Sequence, residues 1–226
     1  HFNKQEEIRP LFESQLESCG VDYFDFYLMH AQSDEIYAKY KKLHVYDEAR
    51  KLKAEGKIKH FGISFHDKED VLDMILTENS DIEVVQIQFN YVEYEDSAVQ
   101  SKACYEVCRK HNKPIIVMES VKGGNLVNLP GEAKHIYEDL GKMSPASYAL
   151  RFAAGFDGMM MVLSGMSDME QMQDNLSFMK DFQPLSTKEQ EAVKQVTKIF
   201  KSKNFILCIA CRYCMEKCPK NIAIPD

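Results

Sequence analysis

Five short apolar segments alternate with amphipathic helical segments along the chain, and this alternation constrains the fold more than any other feature. The five segments are rich in β-branched and aromatic residues and span 24–29, 59–65, 84–89, 114–118 and 159–164. Short segments that are apolar throughout are typical of strands buried on both faces of a parallel sheet. The alternation therefore predicts an α/β fold whose sheet is either doubly wound or closed into a barrel.

Helix signals lie between these segments. The stretch YDEARKLKAEGK ends at Gly56 as a helix C-terminus does, and residues 67–79 and 97–113 are predicted helices as well. Ser144 followed by Pro145 is typical of an N-cap and a first helical turn.

Two further serines indicate helix starts near the end of the chain. Ser167 and Ser186 each stand three positions before a glutamate, and this spacing predicts a capping box at both. The second box opens a closing helix and a short linker, predicted over 183–205. We accordingly predict one domain of residues 1–200 and a small segment of residues 201–226.

Composition and charge limit the class of protein. The 226 residues are 45% hydrophobic and 28% charged, which suffices for a sizeable core. A net charge of -7 without basic clusters argues against nucleic-acid or anionic-membrane partners. No apolar run approaches the roughly 20 residues of a membrane span, and the first ten residues lack the pattern of a signal peptide. We expect a cytoplasmic protein, because its seven cysteines are not spaced as a disulfide framework.

Several of the strand ends carry motifs of one known family. Over residues 5–183 the blocks GVDYFDFYLMH, LKAEGKIKHFGIS, VVQIQFNY, KPIIVMESVKGGNL and MVLSGMSDMEQMQDN occur in this order. Together they closely resemble the aldo/keto reductases. The resemblance implies a (β/α)8 TIM barrel that binds NADP(H) or NAD(H) and transfers hydride between it and a small carbonyl or alcohol substrate. A complete barrel takes roughly 250 residues, so the five βα units here make an incomplete one.

The resemblance also implies roles for residues at the first three strand ends. His30 matches the active-site histidine that orients the substrate carbonyl, a role that suits a neutral imidazole. Ser64 and Gln86 match the residues that hold the nicotinamide carboxamide. Phe65 departs from the family, since many members have asparagine at that position.

The last two strand ends match the cofactor's phosphate and adenosine sites. Barrel enzymes commonly bind phosphate on the loops after their last two strands, and a helix N-terminus suits an anion. The residues expected to bind the cofactor here are Ser120, Gly123, Gly124, Ser164, Gly165, Ser167, Gln171 and Asn175. The alternative is an ordinary glycine turn and a capped, solvated helix. Gly165 and Gln171 stand where lysine and arginine are common in the family. The choice between NADP(H) and NAD(H) as the cofactor therefore stays open.

The family's catalytic tyrosine, lysine and aspartate have no counterpart in this sequence. In the family they lie on the early strands, whereas His30 is on the first strand here and matches the family's fourth. We therefore interpret the chain as the remainder of a barrel without its first three βα units, inactive alone. Tyr23, Tyr27 and Tyr91 fit better as packing residues than as the acid.

A dense group of cysteines follows the barrel-like part. Cys208, Cys211, Cys214 and Cys218, with Pro219, have the C-x2-C-x2-C-x3-C-P spacing of bacterial ferredoxins, which predicts a ferredoxin-like segment binding a [4Fe-4S] cluster. A zinc site is the alternative. The fourth cysteine closes this cluster or serves another one. The arrangement resembles the iron-sulfur subgroup of the aldo/keto reductases.

The cluster leaves two functions open. Either the cluster exchanges electrons with a ferredoxin-like redox protein, or it has a structural role and holds residues 201–226 against the barrel-like part. The alternative to a reductase is a non-catalytic iron-sulfur carrier or interaction module on a barrel scaffold. We expect Cys104 and Cys108, one helical turn apart, to be small buried residues and not ligands.

Overall fold

The structure, a computed structural model, describes residues 2–141 and 143–202. Five strands lie within these ranges and confirm the five predicted ones. They are β1 (Phe24–Gln32), β2 (Ile58–Phe65), β3 (Val84–Gln88), β4 (Ile115–Met118) and β5 (Met159–Val162). Strands β2, β3 and β4 are mostly buried, as apolar runs predict, whereas β1 and β5 leave Phe26, Met160 and Met161 exposed.

Nine α-helices occur in the same described ranges. They are α1 (Ile8–Cys19), α2 (Asp34–Lys42), α3 (Val45–Ala54), α4 (Glu69–Glu78), α5 (Ser101–Lys110), α6 (Gly131–Glu138), α7 (Pro145–Ala154), α8 (Met169–Met179) and α9 (Thr187–Ser202). Helices α3, α4, α5, α7, α8 and α9 were predicted from the sequence, whereas α2 and α6 were not. Gly56 follows α3 with φ of +77°, a left-handed conformation that glycine adopts without strain.

Two of the predicted helix starts are confirmed. The Ser144 hydroxyl accepts the Ser147 amide at 3.2 Å and begins α7. At α9, Ser186 Oγ accepts the Glu189 amide at 3.4 Å, while the Glu189 carboxylate accepts the Ser186 amide at 2.8 Å. This reciprocal pair is the predicted capping box.

The predicted box at Ser167 is wrong. Asp168 is the N-cap of α8, and its carboxylate accepts the Gln171 amide at 2.8 Å. Aspartate caps as well as serine does, and its negative charge also interacts favourably with the helix N-terminus. The helix therefore begins one residue later than the serine spacing indicates.

The strands form one parallel sheet in the order β1-β2-β3-β4-β5. Parallel pairing sets Leu28 opposite Gly62 and Ser64 opposite Gln86. A doubly wound sheet reverses its strand order at a switch point, whereas consecutive barrel strands follow chain order. The order therefore matches five consecutive strands of a barrel.

The chain divides into two compact units. Within the described residues, unit 1 consists of residues 2–87 and 97–116, and unit 2 of residues 88–96, 117–141 and 143–202. In unit 1 the strand residues Ile58, Ile63 and Val85 and the α4 residues Leu72 and Ile75 are all buried. Ion pairs from Arg9 of α1 to Glu48 and Glu55 join α1 to the first turn of α3 and to the residue that follows α3.

Unit 2 has its own apolar core. Tyr137 and Tyr148 stack with ring centroids 4.1 Å apart, and Leu126, Val193 and Val196 pack in the same cluster. Arg151 is held beside this core by Glu189, whose carboxylate lies 2.7 Å from the guanidinium. The predicted boundary between residues 200 and 201 stays a prediction, since residues 203–226 lie outside the described part of the chain.

Candidate functional site

The carboxyl end of β1 is shaped by a local irregularity at His30. The pairing of β1 with β2 shifts register between Met29 and Gln32, and Ala31 has φ of +52°. The Ala31 amide donates to Ser64 Oγ at 2.9 Å, so the irregular backbone is tied to the end of β2. His30 itself is exposed. Its side chain is therefore accessible on a backbone that hydrogen bonds hold.

A buried glutamine supports the same strand end. Gln32 has no exposed surface, and its Nε2 donates to the His30 carbonyl at 3.1 Å. The Tyr46 hydroxyl donates to Gln32 Oε1 at 2.9 Å. Both ends of the amide are thus satisfied, as a buried polar group requires. The strand pattern did not single out this residue.

His66 is a second imidazole near the same strand ends. Its amide donates to the Gln32 carbonyl at 2.9 Å. Partial burial lowers the pKa of His66 below its usual value, and the neighbouring His30 lowers it further. Neutral imidazole is therefore favoured here. Nothing in the sequence pattern indicated His66, because it follows the strand motif instead of lying within it.

Ser64 and Gln86 lie side by side in paired strands. They are opposite each other in the parallel register of β2 and β3, and Ser64 is 4% exposed whereas Gln86 is half-buried. The hydroxyl and amide provide the donors and acceptors that a planar carboxamide needs. Phe65 is buried, so the position where many family members have asparagine serves packing in this chain. Unit 1 thus brings together His30, Ser64 and Gln86.

In unit 2 the predicted glycine turn follows β4. Gly123 and Gly124 have φ of +60° and +90°, which glycine alone adopts readily. Ser120 is 1% exposed, and its hydroxyl donates to the Leu163 carbonyl at 2.8 Å, which ties the turn to the end of β5. The Ser120 hydroxyl is engaged within the protein.

The turn contains two charged groups that sequence analysis missed. Lys122 is completely buried, and its ammonium contacts the buried carboxylate of Glu93. Burial raises the pKa of Glu119, although the Gly123 amide that its carboxylate accepts acts in the opposite direction. A lysine in a glycine-rich loop is ordinarily exposed, and no spacing rule linked Lys122 to an acid 29 positions away.

The residues after β5 form a hydrogen-bonded group at the start of α8. Asn175 Nδ2 donates to Ser164 Oγ at 2.9 Å. Gln171 Oε1 accepts the Ser167 amide at 2.9 Å, and Gln171 Nε2 donates to Asp168 at 2.8 Å. Gly165 is exposed with open space around it. The structure brings the predicted residues of this loop together, but it adds a carboxylate that the prediction did not include.

Of the three tyrosines predicted to pack, Tyr91 is buried and Tyr27 half-buried, whereas Tyr23 is 42% exposed. Tyr27 donates to Gln15 at 2.7 Å, and burial raises its pKa to about 12. Tyr91 is buried, which raises its pKa as well. The Tyr23 ring lies 3.9 Å from the Lys59 ammonium. A general acid near neutral pH needs a lowered pKa, so Tyr27 and Tyr91, whose pKa values are raised, are unsuited to that role.

The cysteines fall into two groups. Cys104 and Cys108 are buried as predicted; burial raises the pKa of the Cys104 thiol to about 12 and that of Cys108 further. Within residues 2–141 and 143–202 no group of three or more histidine, cysteine, aspartate or glutamate side chains could hold a metal ion. The predicted cluster ligands lie outside these residues. They are Cys208, Cys211, Cys214 and Cys218.

Unit 2 also contains a cavity of about 600 Å³. Aromatic side chains including Tyr94, Phe152 and Phe156 line it, together with Lys194 and Lys198 of α9. None of the residues predicted to bind the cofactor lines this cavity. None of the helices in the described part is long and apolar enough to cross a membrane.

Comparison with known proteins gives one family and several similar structures. The model of the aldo/keto reductase family matches residues 2–198. The apo form of aldo-keto reductase AKR11C1 from Bacillus halodurans is 19% identical with a TM-score of 0.65, over 85% of this chain and 68% of that one. An aldo/keto reductase from Brucella melitensis is 21% identical with a TM-score of 0.63, over 87% of this chain and 70% of that one.

A third structure was solved with ligands. It is an aldo/keto reductase from Klebsiella pneumoniae in complex with NADP and acetate, 18% identical with a TM-score of 0.64, over 84% of this chain and 64% of that one. At these identities the likeness shows the fold. No curated protein matched the chain.

Proposed function

Because the chain belongs to the aldo/keto reductase family, whose model matches residues 2–198, we propose that it is an oxidoreductase acting with a nicotinamide dinucleotide on a small carbonyl or alcohol. The family match is the observation that carries this proposal. Support comes from the Klebsiella pneumoniae relative, which was solved with NADP. The bound dinucleotide would supply or accept the hydride.

The residues of unit 1 suit the nicotinamide end of such a cofactor. We assign Ser64 and Gln86 to the carboxamide, since they are neighbours in register and offer a hydroxyl and an amide. His30 would donate a hydrogen bond to the substrate carbonyl and so orient it. The hydrogen bond from Gln32 to the His30 carbonyl supports this role, because it restrains the backbone that carries the imidazole.

The residues of unit 2 suit the rest of the cofactor. The turn with Ser120, Gly123 and Gly124 is assigned to phosphate, since its glycines let a ligand approach the backbone. The loop and helix after β5 are assigned to the adenosine end through Ser164, Gly165, Ser167, Gln171 and Asn175. The charge there does not suit a 2′-phosphate: Asp168 caps the helix, and neither Gly165 nor Gln171 is basic. We therefore propose NAD(H) as the better cofactor.

Fluorescence titration with NADPH and with NADH tests the proposed function. We expect binding of both, with the tighter binding for NADH. Ser64→Ala and Gln86→Ala should each weaken binding about tenfold, because each removes a hydrogen bond that the carboxamide makes. Lys59→Ala, a change at an exposed ion pair, is the control that should leave binding unchanged. A wild-type chain that binds neither nucleotide would instead favour an iron-sulfur carrier or interaction module.

We also propose that the chain belongs to the iron-sulfur subgroup and works in a reducing compartment, the cytoplasm. The support is the spacing of Cys208, Cys211, Cys214 and Cys218, since four thiolates are the ordinary ligands of a [4Fe-4S] cluster. The cluster would pass single electrons to a ferredoxin-like protein. Anaerobic reconstitution with iron and sulfide should give a broad visible absorption that bleaches on reduction. A colourless zinc-loaded protein would contradict the cluster.

A further inference from the structure

A lysine and a glutamate form a buried ion pair beside the glycine turn of unit 2. The side chains of Lys122 and Glu93 are 0% and 3% exposed, and the ammonium donates to Glu93 Oε1. Removing two charges from water is expensive, and a buried pair often contributes less stability than apolar residues of the same size would. Such a pair calls for an explanation other than stability alone.

The second oxygen of the Glu93 carboxylate is also fully engaged. Glu93 Oε2 accepts from Gln88 Nε2 at 2.5 Å and from Asn90 Nδ2 at 2.6 Å. Asn90 in turn accepts the Glu93 amide at 3.0 Å, and its Nδ2 also reaches the Glu119 carbonyl at 3.2 Å. The carboxylate is thus fixed in direction by the last residue of β3 and by the segment that follows it, and it cannot turn away from Lys122 without breaking these bonds.

The turn that Lys122 belongs to has an unfavourable backbone. Glu119 and Lys122 have φ of +57° and +50°, and Gly123 and Gly124 are left-handed too. Left-handed backbone costs a non-glycine residue about 1 kcal/mol or more, and it persists only where the surroundings hold it. Two bonds close the turn internally, from the Lys122 amide to Glu119 and from the Gly124 amide to Val121, both 3.0 Å long.

We propose that Lys122 is a positioning residue whose buried pair with Glu93 holds the turn of residues 119–124 in the conformation that binds the phosphates of the dinucleotide. This inference rests on the proposed function. The pair connects the segment after β3 to the one residue of the turn that is both left-handed and completely buried. Lys122 reaches no ligand, because its ammonium is enclosed by protein; it acts through the backbone of Ser120, Gly123 and Gly124.

The test compares Lys122→Met, Glu93→Gln and the double variant with Lys134→Met in the full chain. Lys134 belongs to an exposed pair with Glu138 in the same unit, so its replacement removes the same charge without touching the turn. Two quantities are measured at a temperature where each variant is folded: the Kd for NADH by fluorescence titration, and amide hydrogen exchange of residues 120–126.

We expect Lys122→Met to raise the Kd about tenfold or more, because it leaves a buried carboxylate without its partner and frees the turn. Exchange at the amides of Gly124, Asn125 and Leu126 should become about tenfold faster through local opening. Lys134→Met should change neither quantity by more than about twofold.

The double variant separates positioning from stability. It removes both charges, so its free energy of unfolding should return towards the wild-type value. A positioning role requires that the Kd of the double variant stay raised about tenfold. The reason is that no ion pair then restrains the turn of residues 119–124. A Kd that returns together with stability overturns the proposal, as does a Kd within twofold of wild type in all three variants. If Lys122→Met does not fold, Glu93→Gln and the double variant decide in the same way.

Failure of the proposed function gives a different pattern. A wild-type chain that binds neither NADH nor NADPH refutes the assigned cofactor, and with it the phosphate role of the turn. Amide hydrogen exchange of residues 120–126 then decides whether the Lys122–Glu93 pair holds the turn of residues 119–124 in place. Unchanged exchange in Lys122→Met would refute that as well.

Discussion

Buried polar side chains restrain the backbone at both groups of candidate residues. In unit 1, Gln32 is completely buried and fixes the His30 carbonyl, while Tyr46 satisfies its other end. In unit 2, Glu93 does the same for Lys122. A buried polar group without its partner costs about 1 to 3 kcal/mol, so each of these groups strongly favours one local conformation.

The two histidines of unit 1 give a prediction that needs no ligand. His30→Ala should raise the pKa of His66 towards its usual value, because it removes the charge that disfavours protonation. The increase should be partial, since burial is the larger cause and stays. Proton NMR of the imidazoles across pH measures it. His111→Ala is the control, as His111 pairs with Asp73 elsewhere in unit 1; an equal pKa in wild type and His30→Ala would contradict the assignment.

The cap of α8 affects both stability and the choice of cofactor. Asp168→Ala should lower the free energy of unfolding by about 1 kcal/mol, since it removes the side chain that accepts the Gln171 amide. Asp168→Asn keeps an equally good cap and should cost less than half of that. The uncharged variant should also bind NADPH about threefold more tightly relative to NADH, because one repulsive charge is gone. Urea unfolding and nucleotide titration measure the two effects, and an unchanged NADPH to NADH ratio would rule out a charge effect at this position.

At the scale of single elements, the parallel strands approach each other closely at one glycine. A Cβ built on Gly62 would lie 2.2 Å from the Val84 carbonyl oxygen and 2.5 Å from its Cγ1. Both are rigid parts of the neighbouring strand, so a methyl group requires β2 and β3 to separate. The absence of a side chain here permits the register that places Ser64 beside Gln86 two residues later.

Gly62→Ala should therefore destabilise the protein by about 3 kcal/mol through overpacking. Urea unfolding followed by circular dichroism gives the free energy. Gly131→Ala is the matched control: it makes the same chemical change at the start of α6, where a Cβ meets no atom within 4 Å. Its stability should be unchanged or slightly higher, since alanine favours helix. Equal stabilities of the two variants would contradict the close approach at Gly62.

Sequence patterns predicted some elements and not others for physical reasons. The strands were predictable because buried strands appear as short apolar runs. The capping box at Ser186 was predictable because its serine and glutamate are three positions apart. Asp168 was equally visible as a cap, but the spacing of Ser167 to a glutamate favoured the wrong residue. Lys122 could not be predicted as buried, because its burial depends on Glu93, which only the folded chain brings to it.

For the molecule as a whole, ion pairs stabilise each of the two units. Unit 1 includes the Arg50–Asp81 pair, and the hydrogen bond from Arg50 lowers the pKa of Asp81. Unit 2 includes the Arg151–Glu189 pair. Burial acts to raise the pKa of Glu189, but the bonds from Arg151 and Ser186 outweigh it and hold the pKa below its usual value. Carboxylates of this kind are a common cause of acid unfolding.

The pH dependence of stability follows from the sign of these shifts. A carboxyl group with a lowered pKa in the folded state binds fewer protons than in the unfolded state, so its contribution is complete above about pH 5 and disappears as the pH falls through the folded pKa. The free energy of unfolding should therefore decrease steadily below about pH 5.

Glu189→Gln tests the share of one pair in this acid response. The variant leaves Arg151, whose side chain is 6% exposed, without its anion and should be less stable than wild type at pH 7. As the pH falls, wild type loses the same pair by protonation, so the two free energies should converge by about pH 3. Glu191→Gln, in the exposed pair with Lys194, is the control and should follow the wild-type curve throughout. Urea unfolding at several pH values measures all three. Parallel curves for wild type and Glu189→Gln would mean that this carboxylate keeps its charge or is not paired in solution, and acid unfolding would then arise from other groups, such as Asp81 in unit 1.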